Sequence, residues 1–351
     1  MTLRTGKLPA DLLASLLARL PRRDPRVLFG PGVGRDAAVL DLGDRLLVAK
    51  SDPVTFAVDD IGWYAVHVNA NDVACMGARP SWFLATALLP AGAPETLAGA
   101  IFDQLVAACD ALGVELIGGH TEVTQVEHPI VAGTMIGEAS RDELIRGEHI
   151  QPGDRVLLTK GIAIEGTALL ARESAALLRE SGVPEAVIAR AREMLFDPGI
   201  SVVRDAHTIA AAARPRLLHD PTEGGVATAL EEMAQAAGAT LVVDPAAIPL
   251  LPETRIICAA LGLDSLGLLA SGALLAIVAP DDFERIAGAL ADVTITCQAI
   301  GRVERGRPRV ILDGVEPATP LASFSRDELA RFYETQPDDT GERATTAEGP
   351  R

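Results

Sequence analysis

The stretch Asp60-Ile-Gly-Trp-Tyr-Ala-Val-His-Val-Asn69-Ala-Asn71-Asp72-Val-Ala-Cys-Met-Gly77-Ala-Arg79-Pro80, running on into Trp82-Phe-Leu-Ala-Thr-Ala-Leu-Leu89, decides the fold class. Ile61 to Met76 has helical spacing, with Asp60 as the expected N-cap and Gly77 just past the end. Trp82 to Leu89 is strand-like and apolar. A helix feeding a strand with one glycine turn between them is the mark of mixed α and β layers. Outward from it, Glu95 to Leu112 reads as a second helix closed by Gly113, and Val114 to Ile117 as a strand leading into a glycine loop at Gly118-Gly119. Ile130 to Ile136 is a further strand. Toward the N-terminus, Ala37–Leu40 and Leu46–Ala49 read as short strands. The first twenty residues form an expected amphipathic helix, with Leu13, Leu16, Leu17 and Leu20 on one face, followed by a proline-marked break at Pro21 to Pro25.

Gln151-Pro152-Gly153-Asp154 is the expected boundary between an N-terminal lobe, 1–150, and a C-terminal lobe, 151–334. The second lobe repeats the style of the first. Strand Arg155–Thr159 precedes helices between about Thr167 and Ala213, a glycine turn at Gly224-Gly225, a helix from Val226 to Ala237, a strand from Leu274 to Val278 and a helix from Asp281 to Leu290. Residues 335–351 carry Pro, Asp, Thr, Glu and Gly with almost nothing apolar, so a disordered tail is expected.

Composition removes several function classes. The chain has 351 residues with 31 Lys+Arg against 48 Asp+Glu, a formal charge of −17. It has no basic block, so nucleic acid is not an expected partner. No apolar run reaches the roughly 18 residues of a bilayer span, so no membrane is expected either. With 48% hydrophobic but 3% aromatic residues, the core is built from Ala, Val, Leu and Ile. The four cysteines are far apart without a Cys-x-x-Cys pair, which predicts reduced, buried thiols and a cytoplasmic protein.

Four acidic positions lie where a strand or helix meets a turn: Asp36 in Gly34-Arg-Asp-Ala-Ala-Val39, Asp52 in Ser51-Asp-Pro53, Asp72 in the decisive stretch, and Asp220 in His219-Asp-Pro-Thr-Glu-Gly-Gly225. Each reads either as a cap or turn residue or as an oxygen ligand for a hard cation holding nucleotide phosphates. Gly30-Pro-Gly32-Val-Gly34, Gly118-Gly-His-Thr121 and Gly224-Gly225 are either plain turns or loops whose N–H groups approach phosphate. None matches the P-loop or the dinucleotide fingerprint. His120 and His219 sit inside such loops. Lys50 and Arg79, the nearest cations in sequence, either pair with carboxylates or touch a ligand.

Taken in order from about Gly30 to Val303, these segments resemble the aminoimidazole ribonucleotide synthetase-like superfamily, which includes PurM, HypE, thiamine-monophosphate kinase and selenophosphate synthetase. His219 to Ala229 and Ser265 to Val278 look most like HypE. The resemblance implies an α+β fold of two α/β lobes in a homodimer, whose N-terminal lobes pair into a shared barrel-like core with the C-terminal lobe alongside. It implies an ATP- and Mg²⁺-dependent enzyme that phosphorylates an oxygen of a small-molecule or protein-borne acceptor. By motif, Asp36, Asp52, Asp72 and Asp220 would hold Mg²⁺, and Asp72, His120 and Asp220 would act in catalysis. Lys50, Asn71, Gly118, Gly119, His120, Thr121, Gly224 and Gly225 would bind the nucleotide. HypE proteins end in a cysteine-bearing tail. No cysteine follows Cys297 here, so the cyanide-forming reaction of HypE is not expected. A thiamine-monophosphate-kinase-like reaction and an inactive nucleotide-binding scaffold are the alternatives.

Overall fold

In a computed structural model, residues 8–335 are described, except 9, 22, 33–36, 316, 318 and 325. Asp36 and nearly all of the expected tail therefore lie outside the described residues. The N-terminal lobe comprises α1 (Ala10–Leu17), β1 (Val27–Phe29), β2 (Ala38–Asp41), β3 (Leu46–Val54), α2 (Ile61–Cys75), β4 (Arg79–Pro90), α3 (Glu95–Leu112), β5 (Glu115–Thr124) and β6 (Ile130–Ala139). Its strands form one sheet in the order β1-β2-β3-β6-β4-β5. β4 and β5 are parallel and joined by the α3 crossover; the other pairs are antiparallel.

Strand periodicity explains which face is covered. Leu46 and Val48 of β3 and Phe83 and Ala85 of β4 point to one side, where they pack on Ile61, Ala65, Val66, Ala70 and Val73 of α2 and on Ile101 and Leu105 of α3. Helix α3 runs over the expected residues because Pro94 precedes it in an extended conformation and Gly113 follows in the left-handed region, φ 65°. The N-terminal leucines, in contrast, are not buried: Leu12 and Leu16 of α1 and Leu20 just beyond it are exposed.

The C-terminal lobe comprises β7 (Arg155–Thr159), α4 (Ile164–Glu173), α5 (Ala175–Glu180), α6 (Glu185–Glu193), α7 (Val203–Ala212), β8 (Leu217–His219), α8 (Gly225–Ala237), β9 (Thr240–Val243), α9 (Pro252–Leu261), β10 (Leu275–Val278), α10 (Phe283–Asp292), β11 (Cys297–Glu304), β12 (Arg309–Leu312) and α11 (Glu328–Thr335). Its sheet order is β12-β9-β11-β7-β10-β8. Both faces are covered. Val156, Leu158, Leu275 and Ile277 point toward Val226, Leu230 and Met233 of α8. Leu157, Ala276 and Val278 point the other way, toward Ile209 of α7 and Ile286 of α10. Continuous apolar strands are what a doubly covered sheet requires.

The lobes dock through α2, which packs on α7 and β8, and through ties from the end of α4 to the residues just before α2. Asp60 stands at the start of α2 with φ 57° but makes no cap; its carboxylate pairs instead with Arg172 of α4, which also meets Asp59 at 2.9 Å. Glu173 accepts the N–H groups of Val58 and Asp59 at 2.9 and 3.0 Å. The expected N-cap is thus an interlobe tie. All four cysteines are free thiols; Cys75, Cys109 and Cys258 are buried and Cys297 half-buried. Among the described residues no helix is long and apolar enough to cross a membrane.

Candidate functional site

Lys50 and Asp52 extend the inward row of β3 that begins with Leu46 and Val48, so both face α2. Asn69 fixes that strand end: its Oδ1 accepts the Asp52 N–H at 2.8 Å, and its Nδ2 donates to Asp52 O at 3.2 Å and Ala65 O at 2.8 Å. Asp72 lies three residues on, nearly one helical turn toward the C-terminus of α2. Lys50 Nζ stands 2.9 Å from Asp72 Oδ2 and 3.0 Å from Asp52 Oδ2. The lysine side chain is 18% exposed, Asp72 5% and Asp52 38%. Burial pulls the Lys50 ammonium down in pKa, but the charges of Asp72 and Asp52 outweigh it and hold the group above the ordinary lysine range.

Asp220 reaches the same helix from the other lobe. Cys75 Sγ donates to its Oδ1 at 3.7 Å, and Cys75 follows Asp72 at the i+3 position, about 5–6 Å away on one helix face. The structure therefore brings Lys50, Asp52, Asp72 and Asp220 to one stretch of the interlobe boundary. Behind Asp220, burial pushes the Glu165 carboxyl up to about 7, with the Asp327 and Asp220 charges adding to the rise. Burial likewise pushes Asp327 up to about 6.

Several expected ligands are committed elsewhere. The Asn71 amide is a clamp between lobes: Nδ2 donates to Ile200 O at 2.9 Å and Oδ1 accepts the Val202 N–H at 2.8 Å. Gly224 donates its N–H to Asp327 Oδ2 at 2.6 Å, so a carboxylate from the C-terminal segment already occupies that helix start. Gly225, at φ 65°, is required by internal packing, since a Cβ there would stand 2.3 Å from Leu266 O. His219 is held at 2.9 Å by Glu232.

Gly118, Gly119, His120 and Thr121 are not a loop. They continue β5, exposed at the end of the sheet order. Gly119 has φ 147°, and a Cβ on it would sit 1.8 Å from Ala85 O, so the glycine permits close pairing with β4. Asp52, Gly133, Ala85 and Gly119 are register partners across β3, β6, β4 and β5. Gly119 is thus three strand spacings, about 14 Å, from Asp52. His120 lies one residue further and pairs with Glu122 at 3.6 Å; within one chain it does not join the acidic group.

Among the described residues the expected magnesium ligands are not gathered into one metal-holding cluster. Asp36 lies outside the described residues, Asp52 and Asp72 converge on an ammonium, and Asp220 meets a thiol. Among the described residues no group of three or more His, Cys, Asp or Glu is placed to hold a metal ion. A separate cavity of about 820 Å³, lined by Trp63, His67, Phe196, Arg204 and His207, lies behind α2 and includes none of the four site residues. Its His67 ring stacks on Trp63 at 4.3 Å, and burial lowers its pKa to about 4, so it is neutral.

With this geometry in hand, comparison with known proteins is informative. The model of the AIR synthase related protein N-terminal domain matches residues 34–139, and that of the C-terminal domain matches 151–313. The chain belongs to the AIR synthase related family. Within the family, carbamoyl dehydratase HypE of Cupriavidus necator is 31% identical over 290 residues, 81% of this chain and 78% of that protein. The structure of the hydrogenase maturation protein HypE in complex with ATP superposes with a TM-score of 0.68 at 24% identity, covering 91% of each chain. Thiamine monophosphate kinase from Aquifex aeolicus gives 0.67 at 20%, covering 89% of this chain and 96% of that one. The α+β fold of two sheet-bearing lobes is shared with both.

The sequence singled out Asp72 and Asp220 as separate positions but did not pair Lys50 with both Asp52 and Asp72. Asn69, two residues before Asn71, was visible in the same Asn-x-Asn-Asp run. Glu165 and Asp327 carried no sequence signal, because their importance comes only from burial beside a residue far along the chain.

Proposed function

We propose that this chain is an ATP-dependent enzyme of the HypE-like branch that activates a carbonyl or amide oxygen of its acceptor by phosphorylation. The observation that carries the reading is the convergence of Lys50, Asp52 and Asp72 from one lobe with Asp220 from the other. Such a boundary between lobes is where a nucleotide and an acceptor can meet. The relative from Cupriavidus necator is a carbamoyl dehydratase, and a solved HypE binds ATP; both support the reaction class.

In this reading the γ-phosphoryl group passes from ATP to the acceptor oxygen. The new P–O bond forms as the bond to the β-phosphate oxygen breaks, releasing ADP. Lys50 carries three N–H donors, and its ion pairs with Asp52 and Asp72 hold the ammonium where it can donate to a phosphate oxygen. Asp72 and Asp220 flank the acceptor, where a carboxylate takes up a proton released as the oxygen becomes nucleophilic. Magnesium bound with the nucleotide would offset the phosphate charge, while Lys50 holds the Asp52–Asp72 pair. The homodimer belongs to the same proposal: the exposed strand β5, with Ile117 at 50% and Val123 at 65% exposure, is the surface for a second copy, which brings the partner's face near His120.

Coupled detection of ADP release tests the reading, with free carboxamides, protein-borne carboxamides and thiamine monophosphate as acceptors. Asp72→Asn and Asp220→Asn should each lower turnover by about 100-fold or more, the usual weight of a positioned acid or base. Nucleotide binding with no ADP release for any acceptor favours the scaffold alternative, and turnover unaffected by both substitutions contradicts the site.

A further inference from the structure

We propose that Lys50 is the resident cation of the Asp52–Asp72 pair, taking the place of a divalent ion, so that this pair binds no metal in the nucleotide-free protein. The inference does not depend on which reaction the chain performs.

The geometry is that of a filled site. Lys50 Nζ is 2.9 and 3.0 Å from one oxygen of each carboxylate, close ion-pair contact with both. The three groups are held by rigid elements. Lys50 is register partner of Met135 in the middle of the β3–β6 ladder, a fixed position in the sheet. Asp52 has its backbone N–H and C=O both bonded to Asn69. Asp72 is on a helix whose neighbouring positions are buried. At 18% exposure the lysine is no flexible surface side chain that happens to lie near acids.

A divalent ion bridging the two carboxylates would need its oxygens at about 2.0–2.1 Å for Mg²⁺, in the space the ammonium fills. An ion placed beside the ammonium would meet its positive charge at contact distance. Among the described residues no other carboxylate lies within ion-pair reach of the lysine, so leaving the pair would strip a half-buried ammonium of its counter-ions. The consequence is chemical. Two carboxylates at the mouth of the site would repel a triphosphate. A covalently attached cation cancels them permanently, whatever the supply of metal.

Mn²⁺ titration followed by electron paramagnetic resonance, on the full chain without nucleotide, tests this. Wild type and Asp52→Asn should take up the same amount of Mn²⁺, because the pair contributes no site. Lys50→Met, checked as folded by near-ultraviolet circular dichroism, should gain one equivalent bound at least about tenfold more tightly than anything in wild type, and Lys50→Met with Asp52→Asn should lose it. One equivalent bound by wild type and lost in Asp52→Asn overturns the inference, as does a folded Lys50→Met that gains no ion. If Lys50→Met does not fold, the wild-type and Asp52→Asn comparison decides alone: equal uptake upholds the inference, and unequal uptake ends it.

Discussion

Glu165 is the clearest place to perturb the electrostatics of the interlobe boundary. Its carboxyl is 6% exposed, and burial pushes its pKa from 4.5 up to about 7, helped by Asp327 and Asp220 and opposed by Ser271. An acid whose pKa is raised in the folded state keeps its proton while the unfolded chain loses it. Stability is therefore greatest below about 4.5, falls as pH rises to about 7, and stays at its lower value above that. The shift of roughly 2.5 units corresponds to about 3 kcal/mol at 1.36 kcal/mol per unit. Glu165→Gln keeps the shape and removes the titration. The variant should match wild type near pH 4.5 and be more stable by about 2–4 kcal/mol at pH 8. Urea unfolding of both proteins between pH 4.5 and 8.5 measures this. The milder slope from Asp327, whose pKa is pushed up to about 6, stays in both. A difference that is the same at every pH, or a Gln variant less stable at pH 8, would refute the buried, protonated Glu165.

Other substitutions report on the packing that positions the site. Asn71→Ala removes both hydrogen bonds to Ile200 and Val202, leaving buried backbone groups without partners, and should cost about 2–4 kcal/mol in urea unfolding; a loss below 1 kcal/mol would mean the clamp is dispensable. Asp205→Ala leaves the buried Lys160 ammonium with only the Ser201 carbonyl at 2.7 Å, and thermal unfolding should show a loss of about 3–5 kcal/mol. Gly119→Ala should pry β5 from β4, since its Cβ would fall 1.8 Å from Ala85 O; faster amide hydrogen exchange along Glu115–Thr124, with β7 to β10 unaffected, is the expected pattern.

What the sequence revealed depended on whether the determining contacts are local. Helix α3 is legible to the residue because Pro94 and Gly113 set its ends through their own backbone preferences. Most strands of both lobes are legible as apolar runs, although β8, β9, β11 and β12 were not read, being short or interrupted by polar residues. The Gly118-Gly119 pair was misread as a loop. Two glycines do signal a turn in most contexts, and only the 1.8 Å approach to Ala85 shows why they stand in a strand. The leucine stripe of α1 was read correctly as helical, yet periodicity says nothing of what covers it. The candidate site shows the same division. Asp52, Asp72 and Asp220 stood out at element ends, but the sequence left Lys50 balanced between carboxylate partner and ligand contact, and the 2.9 and 3.0 Å distances show the carboxylate pairing. Asn71 and Gly224 looked like ligand groups because their real partners, Val202 and Asp327, are more than a hundred residues away.

The most direct test of the site is a crystal structure of the protein with a non-hydrolysable ATP analogue. The phosphate tail should lie between Lys50 and the Asp72–Asp220 boundary, within hydrogen-bond reach of the lysine. A nucleotide seated in the Trp63–Phe196 cavity, or along β5 of a single chain with Lys50 untouched, would contradict the account.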